Sequence, residues 1–332
     1  MSFAYITEPG VKISKKGGKF VVSRDDAVIL EIPSETLEGL VLMSTVQVSS
    51  QVMVELLKRN IPMTWLSPTG ICYGRLESME HTHVLRQEQQ VLQRESPFAL
   101  AMGKKTIATK IHNQMTILNR YNRTVKNPEV KAAVAKLGGL KKNLANTTER
   151  AKIMGFEGLA AKTYFAALGR LVKTEFAFTG RSKQPPTDPF NAMISFGYTL
   201  LMHEIYTTVS NNGLNPYFGF LHALRNHHPA LVSDLMEEWR PVLVDAMVMA
   251  LVQKGSIHVE HFEKAKRNDG IYLTKEGRTI FLQAYEKKLR AVNTYDKTEF
   301  SFRHSLDHHV KLYATALMKN NADLYRPVQI RG

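Results

Sequence analysis

The chain has 332 residues, 44% of them hydrophobic, and carries 44 Lys and Arg against 30 Asp and Glu, for a formal charge of +14. That length lies between one large domain and two ordinary ones, and two is the better starting expectation. The lone Cys72 excludes an internal disulfide and a multi-cysteine zinc site, while the cationic excess favours a polyanionic partner, because clustered Lys and Arg bind phosphates with release of counterions.

In chain order, the N-terminus MSFAYITEPG lacks the basic start and long apolar core of a signal peptide. The most apolar run, VLVDAMVMALV, is interrupted by Asp245 and falls short of the ~18 apolar residues of a membrane span, so a soluble cytoplasmic protein is expected. From Tyr5 to about Glu77 the chain alternates short β-type runs with turn signals. FVVS and AVILEI flank RDD, and Gly17-Gly18 sits between alternating segments as in a hairpin. SSQVMVELLKRN places Val52, Leu56 and Leu57 on one helical face, and IPMTWLSPTGICYGRLE gives two strands around Pro68-Thr69-Gly70. These patterns predict a small β-rich, sandwich-like domain over residues 1–85.

After Glu80 apolar residues recur at spacings of three and four among good helix formers, which predicts a larger all-α domain over residues 86–332 and an α+β fold overall. No linker marks the boundary, which falls near residues 78–90. Between Pro97 and Lys152 twelve basic residues face two acids, so this segment holds +10 of the +14. Helices carrying Lys104, Lys105, Lys110, Arg120 and Arg123 can line a face for DNA phosphates, the alternative being a solvated helix surface. The loop TGRSKQPPTDP adds Arg181, as a backbone contact or an ordinary connector.

Within GFLHALRNHHPALVSDLMEEWRP, residues 219–241, Pro229 can open a helix that runs until Pro241 kinks or restarts it. Asp234 and Glu237 then lie at i and i+3 on one face, and a turn can return His222 toward them. Two carboxylates and an imidazole suit a hard or borderline divalent ion such as Mg²⁺ or Mn²⁺. In GFEGLAAKTYF, Glu157 between Gly155 and Gly158 offers a third carboxylate, in apolar surroundings that call for a compensating charge. The competing expectation for each is plain: a helix N-terminal acid, a core histidine and a solvated acidic face. His227-His228 and His308-His309 are expected at the surface.

Three blocks, GFEGLAAKTYF, DPFNAMISFGYTLL and GFLHALRNHHPALVSDLMEEWRPVLVD, together resemble the CRISPR-associated endonuclease family that acts as the spacer-acquisition integrase, the first of the numbered Cas proteins. The resemblance implies that Glu157, His222 and Glu237 are catalytic and hold Mg²⁺ or Mn²⁺, with Asp234 a direct ligand or a support for the site. It implies a homodimer joined by a small ferredoxin-like partner, "Cas two", acting on double-stranded DNA. A 3′-hydroxyl would attack a phosphodiester of a repeat array to insert a spacer, and water in its place would give endonuclease cleavage. His222 would ligate the ion while neutral or, displaced from it, transfer a proton. The alternative is a non-catalytic nucleic-acid-binding scaffold whose acids form internal ion pairs.

Overall fold

The computed structural model describes residues 2–265 and 268–330. The chain forms two compact units, the first ending at Thr82 and the second beginning at His83.

In the first unit the strands are β1 (Ser2–Ile6), β2 (Val11–Lys16), β3 (Lys19–Arg24), β4 (Ala27–Pro33), β5 (Leu37–Leu42), β6 (Val46–Val48), β7 (Met63–Leu66) and β8 (Cys72–Leu76), with helix α1 (Ser50–Lys58) between β6 and β7. They build two four-stranded sheets of order β1-β5-β7-β8 and β4-β3-β2-β6. Gly17, at φ +58°, supplies the left-handed turn between β2 and β3, and Asp25 and Asp26 at φ 47° and 63° turn β3 into β4. Ile6, Leu40 and Met63 of one sheet share a core with Ile13, Phe20 and Val22 of the other, closed by Val52 and Leu56 of α1. The predicted sandwich-like packing is therefore present, although both sheets mix parallel and antiparallel pairs. Edge strand β4 leaves Val28, Ile29 and Leu30 exposed, at 59%, 51% and 46%.

The second unit is mainly helical: α2 (Val84–Gln93), α3 (Pro97–Val125), α4 (Pro128–Leu144), α5 (Arg150–Gly169), α6 (Pro189–Asn211), α7 (Ala230–Trp239), α8 (Ala246–Gln253), α9 (Lys275–Arg290) and α10 (Phe302–Met318). Three of these helices begin with Pro, whose missing N–H needs no partner there. Asn127 caps α4 through Glu129 N and Val130 N, and Asp188 caps α6 through Asn191 N. The unit is not exclusively helical. Two antiparallel ribbons, β9 (Phe262–Lys264) with β10 (Ile271–Leu273) and β11 (Val292–Tyr295) with β12 (Thr298–Ser301), are too short to leave a periodic signal. Between α7 and α8 residues Arg240–Asp245 form a π-helical segment. Pro241 lies inside it, so the expected kink takes the form of a widened turn that accommodates the missing N–H. No helix among the described residues is long and apolar enough to cross a membrane.

Candidate active site

Helix α3 runs through this unit against α4, α5, α7 and the π-helical segment, and so gathers side chains that are far apart in sequence. Glu157 lies in the second turn of α5, which starts at Arg150, so the expected helix N-terminal position does not apply. Gly155 and Gly158 face open space, not a packed neighbour. Asp234 and Glu237 on α7 are 0% and 1% exposed, which removes the solvated-face alternative.

Asp234 is saturated with donors. Its Oδ2 accepts from Phe220 N (2.7 Å) and Leu221 N (2.8 Å), and its Oδ1 from His222 N (2.9 Å) and His222 Nδ1 (2.6 Å). The loop approaches so closely at Gly219 that a Cβ there would collide with Asp234 Oδ2 and the backbone of Ala230 and Leu231. Asp234 therefore works as the support that fixes His222. With Nδ1–H committed to Asp234, the ring presents Nε2, 4.0 Å from Glu237 Oε1. Burial disfavours the imidazolium, but hydrogen bonding and charge from Asp234 outweigh it and raise the His222 pKa.

Lys110 on α3 is buried between the acids, its Nζ 2.5 Å from both Glu157 Oε1 and Glu237 Oε2. This corrects its expected place on a DNA-facing surface: the ammonium is an internal counter-charge, 3% exposed. Burial disfavours that ammonium, yet Glu237 and Glu157 hold its pKa above the ordinary lysine value. Burial alone would raise Glu237; Arg240, Lys110 and His222 instead pull it down to about 2, with the Arg240 guanidinium 3.2 Å away. Among the described residues no three His, Cys, Asp or Glu side chains stand ready as an ion cage. The chemistry of the donors nevertheless fits a divalent ion. Two carboxylates already converge on one cation, and an imidazole nitrogen with its tautomer set faces the same gap.

A second buried cluster adjoins this one. Asp245 accepts from Tyr164 Oη (3.0 Å) and Tyr198 Oη (2.7 Å), and burial raises its pKa to about 6 against the pull of those two bonds. The guanidinium of Arg240 stacks 4.9 Å from the Tyr198 ring centre. Arg181 packs against the same ring at 5.5 Å and bonds Asn191 Oδ1 and Ser195 Oγ, each at 2.9 Å. Lys183 of the same loop is depressed by burial, then by Arg240 and Arg181. Sequence reasoning passed over Lys110 as an acid partner, Arg240 and both tyrosines, although the Asp245 that breaks an apolar run was a visible signal.

The other basic candidates are dispersed. Lys104 Nζ donates to Ala145 O at 3.1 Å, and Lys105 Nζ bonds Ala322 O and Asp323 Oδ1. Arg120 and Arg123 are exposed near the end of α3, and Lys126, Lys131, Lys136, Lys142 and Lys152 are exposed beyond them. His227 is exposed as expected, but His309 is buried. His309 Nδ1 accepts from Trp239 Nε1 (3.1 Å), beside Tyr325 and Glu238, because α10 packs its ring inward.

The family model for CRISPR associated protein Cas1 matches residues 4–287. A CRISPR-associated endonuclease Cas1 of Mycobacterium tuberculosis is 32% identical over 91% of this chain and 90% of its own length. Two solved structures share the fold. A chain of a Cas6-RT-Cas1–Cas2 complex superposes with a TM-score of 0.86 at 22% identity, over 100% of this chain and 36% of that longer one. A casposase bound to its integration product gives a TM-score of 0.83 at 19% identity, over 100% of this chain and 96% of that one.

Proposed function

The chain belongs to the Cas1 family, and from that we propose that it is an endonuclease and integrase of CRISPR adaptation, inserting short DNA duplexes into a repeat array. The observation that carries the reading is the convergence of Glu157 and Glu237 on one buried cation, with His222 Nε2 beside them. In this account Glu157, Glu237 and His222 hold Mg²⁺ or Mn²⁺, with Lys110 giving up part of its hold on the two carboxylates. A bound ion lowers the pKa of an attacking hydroxyl and stabilises charge gathering on phosphorus.

The chain's own residues supply the rest. Asp234 keeps the imidazole in one tautomer and one orientation. Lys110 and Arg240 place positive charge where a phosphodiester's oxygens become more negative. A DNA 3′-hydroxyl forms a new P–O bond as one P–O bond of the repeat breaks, so the number of phosphodiesters is unchanged and no energy source is consumed. Water in place of the hydroxyl yields cleavage.

The shared fold with a chain of a Cas1–Cas2 complex supports a small partner protein. The apolar run Val28, Ile29 and Leu30 on the exposed edge of β4 supports association through the first unit as a homodimer.

One observation favours the second reading, a DNA-binding scaffold without catalysis: Glu157 and Glu237 are paired internally by Lys110. The two differ in a strand-cleavage and strand-transfer assay run with Mg²⁺, with Mn²⁺ and with EDTA. Catalysis that requires the ion and disappears in Glu157→Ala and His222→Ala while DNA binding persists supports the integrase. Salt-sensitive DNA binding with no cleavage under any of these conditions supports the scaffold.

A further inference from the structure

The loop of residues 179–188 leads into α6 and is pinned from several sides. Asn191, fully buried in the first turn of α6, accepts from Arg181 Nη1 (2.9 Å) and Ser182 N (3.2 Å) and donates to Gly180 O (2.9 Å). Ser182 Oγ accepts from Thr187 N at 3.0 Å, and Pro186 O from Ile271 N of β10 at 2.8 Å. The Arg181 guanidinium, bonded also to Ser195 Oγ and set against the Tyr198 ring, is taken up by the protein itself. A backbone held at this many points carries its next side chain to one place.

That side chain is Lys183. It is exposed and forms no hydrogen bond or ion pair with any described residue. The charges that act on it are nevertheless those of the candidate active site. Partial burial leads the causes that lower its pKa, followed by Arg240 and Arg181, and Glu157 and Glu237 favour the ammonium by less. Both of those carboxylates are already engaged, by Lys110 and, at Glu237, by Arg240 as well. A connector charge free to move turns to water and away from two guanidinium groups. A lysine kept beside them on a pinned loop has the surroundings of a cation that meets an incoming anion.

We infer, on the integrase reading above, that Lys183 is a catalytic residue, donating to a non-bridging oxygen of the phosphodiester under attack. Lys110 and Arg240 approach that phosphate from α3 and the π-helical segment, each tied to a carboxylate. Lys183 approaches from the loop with all three of its N–H donors uncommitted. The phosphodiester under attack is favoured over its neighbours because the groups nearest Lys183 in charge are Arg240, Arg181, Glu157 and Glu237, which surround the reacting position. As one P–O bond forms and another breaks, the non-bridging oxygens gain negative charge and the contact strengthens. The ammonium keeps its protons throughout.

Phosphate contact is measured apart from catalysis, on the whole protein in EDTA. The probe is a branched DNA whose junction fixes the register, in versions that each carry one uncharged methylphosphonate along the strand. Lys183→Met removes no hydrogen bond and relieves a repulsion, so its Tm is expected to match that of the unaltered protein. The unaltered protein is expected to lose about tenfold in affinity when one particular phosphate is neutralised. Lys183→Met is expected to show that loss already, to be insensitive at that position alone, and to have a salt slope smaller by about 1. With Mn²⁺ the same position is expected to be the one that is cut or joined, and Lys183→Met to slow the reaction about 10²–10³-fold. Equal sensitivity of the two proteins at every position, with equal salt slopes, overturns the phosphate contact. A coupled position away from the cut or joined one, or an unchanged rate, overturns the catalytic role. One coupled position in a protein that cuts and joins nothing with either ion upholds the phosphate contact and contradicts the integrase reading instead.

Discussion

His222 is tied to Asp234 twice, through its backbone N–H at 2.9 Å and its ring Nδ1 at 2.6 Å, both to the same carboxylate oxygen. The backbone bond fixes the loop against Asp234 and the Nδ1 bond fixes the ring, so its Nε2 faces Glu237.

Asp234→Asn tests that coupling. Burial lowers the His222 pKa, and hydrogen bonding and charge from Asp234 outweigh it, leaving the folded-state value raised. A raised histidine contributes stability that is fully present below its unfolded pKa of about 6.5 and is lost as pH rises through the folded value. Removing the carboxylate charge is expected to lower the His222 midpoint in an NMR titration and to weaken divalent-ion affinity about 10–100-fold. An unchanged midpoint contradicts the coupling.

Lys110→Met probes the internal counter-charge. Breaking a buried ion pair by removing one partner costs about 3–5 kcal/mol where the remaining charge has no other compensation; here Arg240, 3.2 Å from Glu237, offsets part of that cost. In EDTA the variant is expected to unfold at a markedly lower temperature than the unaltered protein. Added Mn²⁺ is expected to raise its Tm by more than it raises that of the unaltered protein, since the ion no longer competes with an ammonium. Equal metal-induced shifts in the two proteins contradict the shared position.

The sequence patterns that carried the fold were the ones tied to backbone geometry. Gly17-Gly18 and RDD marked the turns of β2–β3–β4, and Pro229 marked the start of α7. The ribbons β9–β12 escaped notice because three or four residues cannot establish alternation. In the candidate site, the acids and His222 stood out by their motif blocks, whereas Lys110 was read as surface because it lies among eleven other basic residues. Its helical register was the missed signal: Ile107, Lys110, Ile111, Gln114 and Ile117 share one buried face of α3. His309 was misplaced for the same kind of reason, since one member of a His-His pair on a helix can point inward while its neighbour points out.

Asp245 provides a second pH dependence, of the same sign as that of His222. Its carboxyl is fully buried and raised from 3.8 to about 6, so the folded state holds the proton more tightly than the unfolded chain does. Stability from this group is complete below 3.8 and is lost as pH rises through about 6, by about 3 kcal/mol at most. Asp245→Asn keeps a polar group for Tyr164 and Tyr198 and removes the ionisation. Chemical denaturation between pH 4 and 8 is expected to show the unaltered protein losing stability relative to this variant through pH 6. Parallel profiles contradict the assignment.

The central claim, that Glu157, His222 and Glu237 together hold a divalent ion, is tested most directly by pulsed electron paramagnetic resonance of the protein with Mn²⁺. The account predicts a bound Mn²⁺ whose spectrum carries a nitrogen coupling from one imidazole, absent in His222→Ala, with binding lost in Glu157→Ala/Glu237→Ala. An unchanged affinity and an unchanged nitrogen coupling in those variants would contradict it.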